Sequence, residues 1–291
     1  MTQDPYVTHR RLLFTVAYEM LGSAADAEDV LQESWLKWHG VDRRRIRDPK
    51  AYLVTIVTRT ALDRLRTLAR RREDYIGPWL PEPLLTAPDV ADDVELADSL
   101  STAMLLVLET LTPTERAVFL LRDVFDLDYD ELADAVGKTP AAVRQIAHRA
   151  RTHVAARRPR GATSQEATRV ALEAFLRALD TGDLQGLVDI LAPDVVMLGD
   201  GGGVKQALPR AVAGADKVGR LLRMAMSTAR DRGMVAEPAH VNGWPALILR
   251  QEGEIDSVLS VRVEDGLVAA VYTVRNPDKL SGMISEALVT R

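Results

Sequence analysis

The chain has 291 residues, 47% hydrophobic and 27% charged, with a net charge of −5, enough apolar content for two or three domains with real cores. That balance excludes a uniformly basic nucleic-acid coat, so any DNA contact must come from local patches. The lack of cysteine excludes disulfides, thiolate metal sites and cysteine nucleophiles.

Met1 to Tyr6 carries no basic stretch followed by an apolar one, and no run approaches the roughly 18 apolar residues of a membrane span. A cytoplasmic protein without membrane contact is therefore expected. From residue 6 the periodicity is helical. Leu12, Leu13, Val16, Ala17 and Met20 mark a first helix. Ser23 caps a second, whose apolar residues Ala27, Val30, Leu31 and Trp35 recur at three and four. Its opposite face carries Asp26, Glu28, Asp29, Gln32 and Glu33. Arg43 to Arg72 then holds eleven Lys or Arg against two Asp. Within it Ala51 to Arg70 reads as one long helix, with Tyr52, Leu53, Ile56, Val57, Leu62 and Leu65 as the buried stripe.

Three prolines in Gly77-Pro78-Trp79-Leu80-Pro81-Glu82-Pro83 break that pattern, and Glu82 to Asp98 carries six acids and no base. Residues 76–95 therefore read as a flexible acidic linker. Helices are expected to resume near Leu96 and run to Leu111, followed by another that the capping box Thr112-Pro113-Thr114-Glu115 opens and that runs to Leu121. Tyr129 to Val136, Gly137 and the run from Thr139 then form a helix-turn-helix. Thr139 is the N-cap and Pro140 the first helical residue of its second helix. That helix buries Val143, Ile146, Ala147 and Ala150, and leaves Arg144, Gln145, His148, Arg149 and Arg151 outside. Arginine and glutamine read guanine and adenine edges bidentately in the major groove. Lys138 to Arg160 holds seven Lys or Arg and no acid, which favours DNA over a merely solvated helix.

After a short linker at 159–163, residues 164–291 change character. Helices are expected at 166–179, 183–191 and 215–229, and strands at 195–198, 246–250, 257–263 and 267–274. Helices on a curved antiparallel sheet make this an α+β domain. The whole chain thus reads as a helical domain at 1–75, the linker, a helix-turn-helix domain at 96–158 and the α+β domain.

Leu21 to Trp35 resembles the second conserved region of bacterial sigma factors of the extracytoplasmic-function group. Leu111 to Arg116 with the helix-turn-helix resembles their fourth region. The resemblance implies a non-enzymatic protein that binds core RNA polymerase and promoter DNA without a cofactor or metal. Asp26, Glu28, Asp29, Gln32 and Glu33 would face the polymerase. Tyr52, Arg59, Arg64, Arg66, Arg70 and Arg71 would lie at the minus-ten element, although members often carry asparagine where Arg59 stands. Thr139, Arg144, Gln145, His148, Arg149 and Arg151 would lie at the minus-thirty-five element. Residues 164–291 resemble the cone-shaped SnoaL-like domains that a subgroup of these factors carries. That subgroup also shows Trp79-Leu80-Pro81-Glu82-Pro83, Asp200-Gly201-Gly202-Gly203 and Asn276-Pro277-Asp278-Lys279-Leu280, here with Val204 before Lys205. The linker's apolar Trp79 and Leu80 are costly to expose, so they are expected to dock on the C-terminal domain and make those three segments regulatory contacts. In the usual arrangement a separate anti-sigma protein masks the DNA-reading domains, a role the fused domain would replace or supplement.

Two other readings stay open. A symmetric repressor or activator would use the helix-turn-helix alone, leaving the acidic second helix unexplained. An enzyme would use Asp200, His240 and Asp256 in the cone pocket, although no nucleophile–base constellation or metal spacing accompanies them. A small-molecule ligand in that pocket is the better expectation.

Overall fold

Asp4 accepts from the Tyr6 amide at 2.9 Å and Pro5 takes the first helical position, which starts α1 (Pro5–Leu21). The computed structural model describes residues 4–158, 164–182 and 185–291, without the side chains of residues 45, 69–73 and 179. Residues 159–163, expected as a linker, lie outside the described residues. Ser23 caps α2 (Ala24–His39) by accepting from the Asp26 amide at 3.2 Å, and α3 (Pro49–Glu73) completes the first helical unit. Tyr52 and Ile56 depart from the buried stripe expected for α3. Tyr52 lies exposed and Ile56 is half-buried, while Leu53, Val57, Leu62 and Leu65 are buried.

The helical stretch expected from near Leu96 to Leu111 is α4 (Val94–Leu100) and α5 (Thr102–Leu108). Ser101 separates them because its hydroxyl accepts from the Met104 amide at 3.1 Å and caps the second. The Thr112–Glu115 capping box opens α6 (Pro113–Phe119), which continues into a π-helical turn at Leu120–Val124. The helix-turn-helix is α7 (Tyr129–Val136) and α8 (Pro140–Arg157). Ile146 is half-buried rather than buried.

The two helical units share one core. Leu13, Trp38 and Val57 belong to the same apolar cluster as Leu105, Val118, Leu132 and Val143. This explains why α1 is buried on nearly every side, including Phe14, Thr15, Tyr18 and Glu19, positions outside its amphipathic stripe. Arg116 of α6 reaches into α1, where its Nε donates to the Glu19 carbonyl at 2.9 Å and its guanidinium pairs with Glu109. The Glu19 side chain accepts from the Ser99 hydroxyl at 2.7 Å, and its other oxygen is buried without a partner among the described residues.

The C-terminal unit comprises α9 (Gln165–Thr181), α10 (Gln185–Asp189), β1 (Leu191–Asp200), β2 (Val212–Ala213), α11 (Ala215–Asp231), β3 (Val235–Val241), β4 (Trp244–Gln251), β5 (Glu254–Glu264), β6 (Leu267–Val274) and α12 (Pro277–Leu280). Among the described residues the strands form one sheet in the order β2-β1-β6-β5-β4-β3. It is mixed rather than antiparallel, because β1 runs parallel to β6. Register breaks at Leu249/Arg250 and Arg262/Val263 bend it.

Helices α9 and α11 cover one face, packing Phe175 and Leu222 among Leu259 and Val271. On the opposite face Ala246, Ile248, Val258, Ala270, Tyr272 and Val274 pack with Leu80 of the linker, Leu280 and Met283. Double coverage is why β4 and β6 read as continuous apolar runs instead of alternating ones.

Burial raises the Glu19 carboxyl from its ordinary 4.5 to about 8, against partial opposition from Ser99 and Arg116. The contribution of this group to stability is complete below about pH 4.5 and declines as pH rises through 8. We expect Glu19→Gln to flatten that decline and to stabilise the protein at pH 8 by on the order of a few kcal/mol. Urea unfolding of both proteins at pH 5 and at pH 8 checks this, and parallel pH slopes would refute it.

Candidate nucleic-acid interface and its interdomain lock

The Thr139 hydroxyl accepts from the Ala142 amide at 3.2 Å, which fixes the start of α8. Val143, Ala147, Ala150 and Val154 are buried beneath it. Arg144, Gln145, His148, Arg149 and Arg151 form its exposed face. They are not equally available. Arg151 donates to Asp123 at 2.7 Å, and Arg149 lies 3.8 Å from Glu115. The Arg144 guanidinium stands 5.2 Å from the Tyr129 ring centroid, a contact that orients it without neutralising it.

On α3 the situation differs. The Arg59 Nη2 donates to the Asp134 carbonyl of α7 at 2.6 Å, so it faces the other helical unit. Tyr52, exposed and 6.1 Å from the Trp38 ring, opens with Arg59 onto a cleft whose far wall carries Glu131 and Asp134. Arg66 pairs with Asp63 at 2.5 Å. The side chains of Arg70 and Arg71 lie outside those described.

Arg64 belongs with the acidic helix instead. Its guanidinium contacts Asp26 at 2.7 Å and Asp29 at 2.6 Å, joining residues that the sequence assigns to different partners. Glu28 pairs with Arg10 at 2.6 Å, while Gln32 and Glu33 point to solvent. Leu36, 71% exposed, continues that face one turn on from Gln32 and Glu33. The sequence reading passed over it because a lone exposed leucine carries no signal until its burial is known.

The segment expected to be a flexible linker is tied down at both of its neighbours. Leu80 is fully buried. Its amide donates to Asp200 Oδ2 at 2.9 Å, and Lys279 Nζ donates to the Leu80 carbonyl and to Asp200 Oδ2, the latter at 2.7 Å. Tyr75 donates its hydroxyl to Asp200 Oδ1 at 2.5 Å and accepts from Asn276 Nδ2 at 2.9 Å. Burial, then the Asp200 carboxylate, raises the Tyr75 pKa and keeps the hydroxyl a donor. The Lys279 ammonium lies 4.2 Å from the Trp79 ring centroid and 4.9 Å from that of Tyr75. The triple glycine allows this closeness. Gly202, at φ +61°, would place a Cβ 2.3 Å from the Asn276 amide, and Gly203 would place one 2.9 Å from Ile76.

Toward the first helical unit, Trp79 lies over the turn between α1 and α2, where a Cβ on Gly22 would come within 2.8 Å of its ring. The Glu82 amide donates to the Gly22 carbonyl at 2.8 Å, and the Tyr18 hydroxyl donates to the Glu82 carbonyl at 2.6 Å. Glu82 Oε2 accepts from the Ala24 amide at 2.8 Å, which places a carboxylate at the positive end of α2. Pro81 and Pro83 are buried beside it. Within α12, Asn276 caps the helix by accepting from the Asp278 amide at 3.1 Å, Pro277 takes the first position, and Leu280 packs with Leu80.

Asn242 makes a second junction, which the sequence reading missed. Its side chain accepts from the Leu84 amide at 2.8 Å and donates to Tyr18 at 2.7 Å and to the Leu100 carbonyl at 2.9 Å, connecting all three units. It sits at φ +56° in the β3–β4 turn. The available signal was the dipeptide Asn242-Gly243, a strong hairpin marker. Strand β3 carries no strand signal because, as a largely unburied edge strand carrying Pro238, it lacks apolar alternation.

The three enzyme candidates are not hydrogen bonded to one another. Asp200 serves the linker, Asp256 pairs with Lys205 and Arg275, and the His240 carbonyl accepts from the Thr86 amide at 2.9 Å.

Residues 6–71 match the Sigma-70 region 2 family, and residues 101–154 match Sigma-70 region 4. The chain is 36% identical to the ECF RNA polymerase sigma factor SigJ of Mycobacterium tuberculosis, covering 94% of this chain and 91% of that one. It belongs to the extracytoplasmic-function sigma factors. Another relative, the probable factor SigI of the same species, is 31% identical over 96% of this chain and 94% of its own. The crystal structure of M. tuberculosis SigJ superposes with a TM-score of 0.78 at 34% identity, covering 96% of this chain and 98% of that one. As a sigma factor the chain acts in transcription initiation, and no helix among its described residues is long and apolar enough to cross a membrane.

We expect Asp200→Asn, which leaves the Lys279 ammonium opposite a neutral amide, to destabilise the sigma factor by about 3–5 kcal/mol. Hydrogen exchange at the Leu80 amide should accelerate in parallel. Unchanged protection of that amide would mean that the carboxylate does not hold the linker.

Proposed function

We propose that this sigma factor docks on core RNA polymerase through the acidic face of α2, reads the minus-thirty-five element with α8 and the minus-ten element with α3, and is controlled by its C-terminal domain. Asp26, Glu28, Asp29, Gln32 and Glu33 supply the polymerase contact, and Leu36 adds an apolar anchor. Arg144, Gln145 and His148 read bases from α8, while Thr139, Arg149 and Arg151 set its register on phosphates. On α3, Tyr52 stacks on an unpaired base, and Arg59, Arg64, Arg66, Arg70 and Arg71 follow the backbone. Arg64 holds Asp26 and Asp29 in the free protein, so its release accompanies polymerase docking.

The observation that carries the regulatory part is the bond from Arg59 to the Asp134 carbonyl of α7. It turns the α3 reading face onto the other helical unit, whereas two promoter elements a fixed distance apart require the units to separate. Trp79–Pro83, bound between Asp200–Gly203 and Asn276–Leu280 on one side and the α1–α2 turn on the other, opposes that separation. Polymerase binding, by favouring the separated state, shifts the population toward it.

Promoter-dependent transcription with purified core polymerase tests the assignment. The full chain is expected to initiate only with core present, and Asp200→Asn is expected to raise initiation from a limiting concentration of factor. Absence of core-dependent initiation would sink the polymerase and promoter assignments, and an unaltered Asp200→Asn would sink the regulatory one.

Arg144→Ala is expected to weaken promoter use by roughly 1–3 kcal/mol on promoters with the matching base and by much less on variants at that base. Equal loss on every variant would make it a phosphate contact.

A further inference from the structure

Residues 284–291 follow α12 and run across the joint between the two helical units. They begin beside the linker, where Leu84 to Thr86 has both backbone edges in use. On one edge the Thr86 amide donates to the His240 carbonyl at 2.9 Å, and the Asn242 amide donates to the Leu84 carbonyl at 2.8 Å. These bonds add the linker to the free edge of β3. On the other edge the Ala287 amide donates to the Leu85 carbonyl at 2.7 Å, and Ala287 pairs parallel to Thr86. The linker therefore lies between β3 and the segment that follows α12.

Beyond that point burial alternates. Ala287 and Val289 are half-buried against the helical core, whereas Leu288 is 56% exposed. The Thr290 amide donates to Thr15 Oγ1 of α1 at 3.0 Å. Arg291 Nε lies 2.9 Å from Asp93 Oδ2, and its guanidinium also pairs with Glu95. Asp93 is the N-cap of α4 and Glu95 lies in its first turn. Both belong to the run from Glu82 to Asp98 that holds six acids and no base, so charge complementarity selects this seat for the arginine.

The segment thus grips α1 of the first helical unit and α4 of the second, and the units cannot part while both grips hold. Its hold is slight. Two small apolar side chains are half-covered, and the ion pairs are open to solvent, where each contributes little. Asp200 and Leu80, by contrast, are fully buried. Segments with few buried contacts open locally, far more often than the whole chain unfolds. We propose that residues 284–291 form a releasable strap that covers the outer edge of the linker and bridges the helical units, and that it detaches while the Asp200 lock is still closed. A cavity of about 420 Å³ separates Leu288 of the strap from Arg10 and Glu28. A body docking on the acidic face of α2 therefore meets the strap at Leu288 and displaces it. Only this displacement rests on the polymerase surface proposed above.

Hydrogen exchange on the full chain tests the strap. The Ala287 and Thr290 amides are expected to exchange together, on the order of a hundredfold faster than the Leu80 amide. Arg291→Glu turns two exposed ion pairs into repulsion without touching the core. It should accelerate both amides roughly tenfold and leave Leu80 unchanged. Adding Glu95→Arg, also at an exposed position, should return most of the protection, which a loss of packing would not allow. Strap amides as slow as Leu80, no response to Arg291→Glu, or no recovery in the double variant would each overturn the strap. In the complex with core polymerase the same two amides should exchange faster still. Unchanged or slower exchange there overturns the displacement alone, whereas failure of the complex to form sinks the docking surface instead.

Discussion

The buried carboxylate of Asp200 constrains more of this molecule than any other group. Removing a charge from water is expensive, and the expense is offset only when its remaining lone pairs are filled. Asp200 meets that condition with groups from two sources: the Lys279 ammonium and Gly202 amide of its own domain, and the Tyr75 hydroxyl and Leu80 amide around the start of the linker. The carboxylate is therefore fully satisfied only with the linker in place. Loss of the linker leaves Asp200 and Lys279 to solvent together with the apolar surface that covered them, so the dock is close to all-or-none. Such cooperativity gives a regulatory contact two distinct states instead of a continuum.

The sheet makes the same demand through the hydrophobic effect. Its inner face is complete within the C-terminal domain, but its outer face is closed by Leu80 of the linker, with α12 at the edge. Burying that face offsets the ordering of a proline-rich segment that would otherwise remain flexible. The Asn242 junction adds direction to this non-directional force, since its amide reaches α1, the linker and α4 at once. Contacts of this kind set which way the units face.

The two helices proposed to read DNA are unequally placed in the resulting arrangement. The face of α8 around Arg144, Gln145 and His148 is open to solvent, whereas α3 turns Arg59 toward α7. Under the proposed function, the closed protein retains its minus-thirty-five surface while its minus-ten surface is covered. Opening then costs the shared core between the helical units, and polymerase contacts on the outer face of α2 must compensate. Arg64 pairs with Asp26 and Asp29, so under the proposed function polymerase and arginine compete for the same carboxylates.

Local physics made much of this legible in the amino-acid order. The caps at Ser23, Thr112 and Thr139, the helical spacing of Val143, Ala147 and Ala150, and the turn at Gly137 specify their elements through contacts within a few residues. The apolar runs of β4 to β6 did the same for the sheet. Tertiary structure alone decided the parallel pairing of β1 with β6, the edge strand β3, and the destinations of Tyr52, Arg59 and Arg64. Each depends on a partner distant in sequence. Composition shows that Trp79 and Leu80 must be covered, since exposed apolar surface is unfavourable, but which surface covers them is set by Asp200, more than a hundred residues further on.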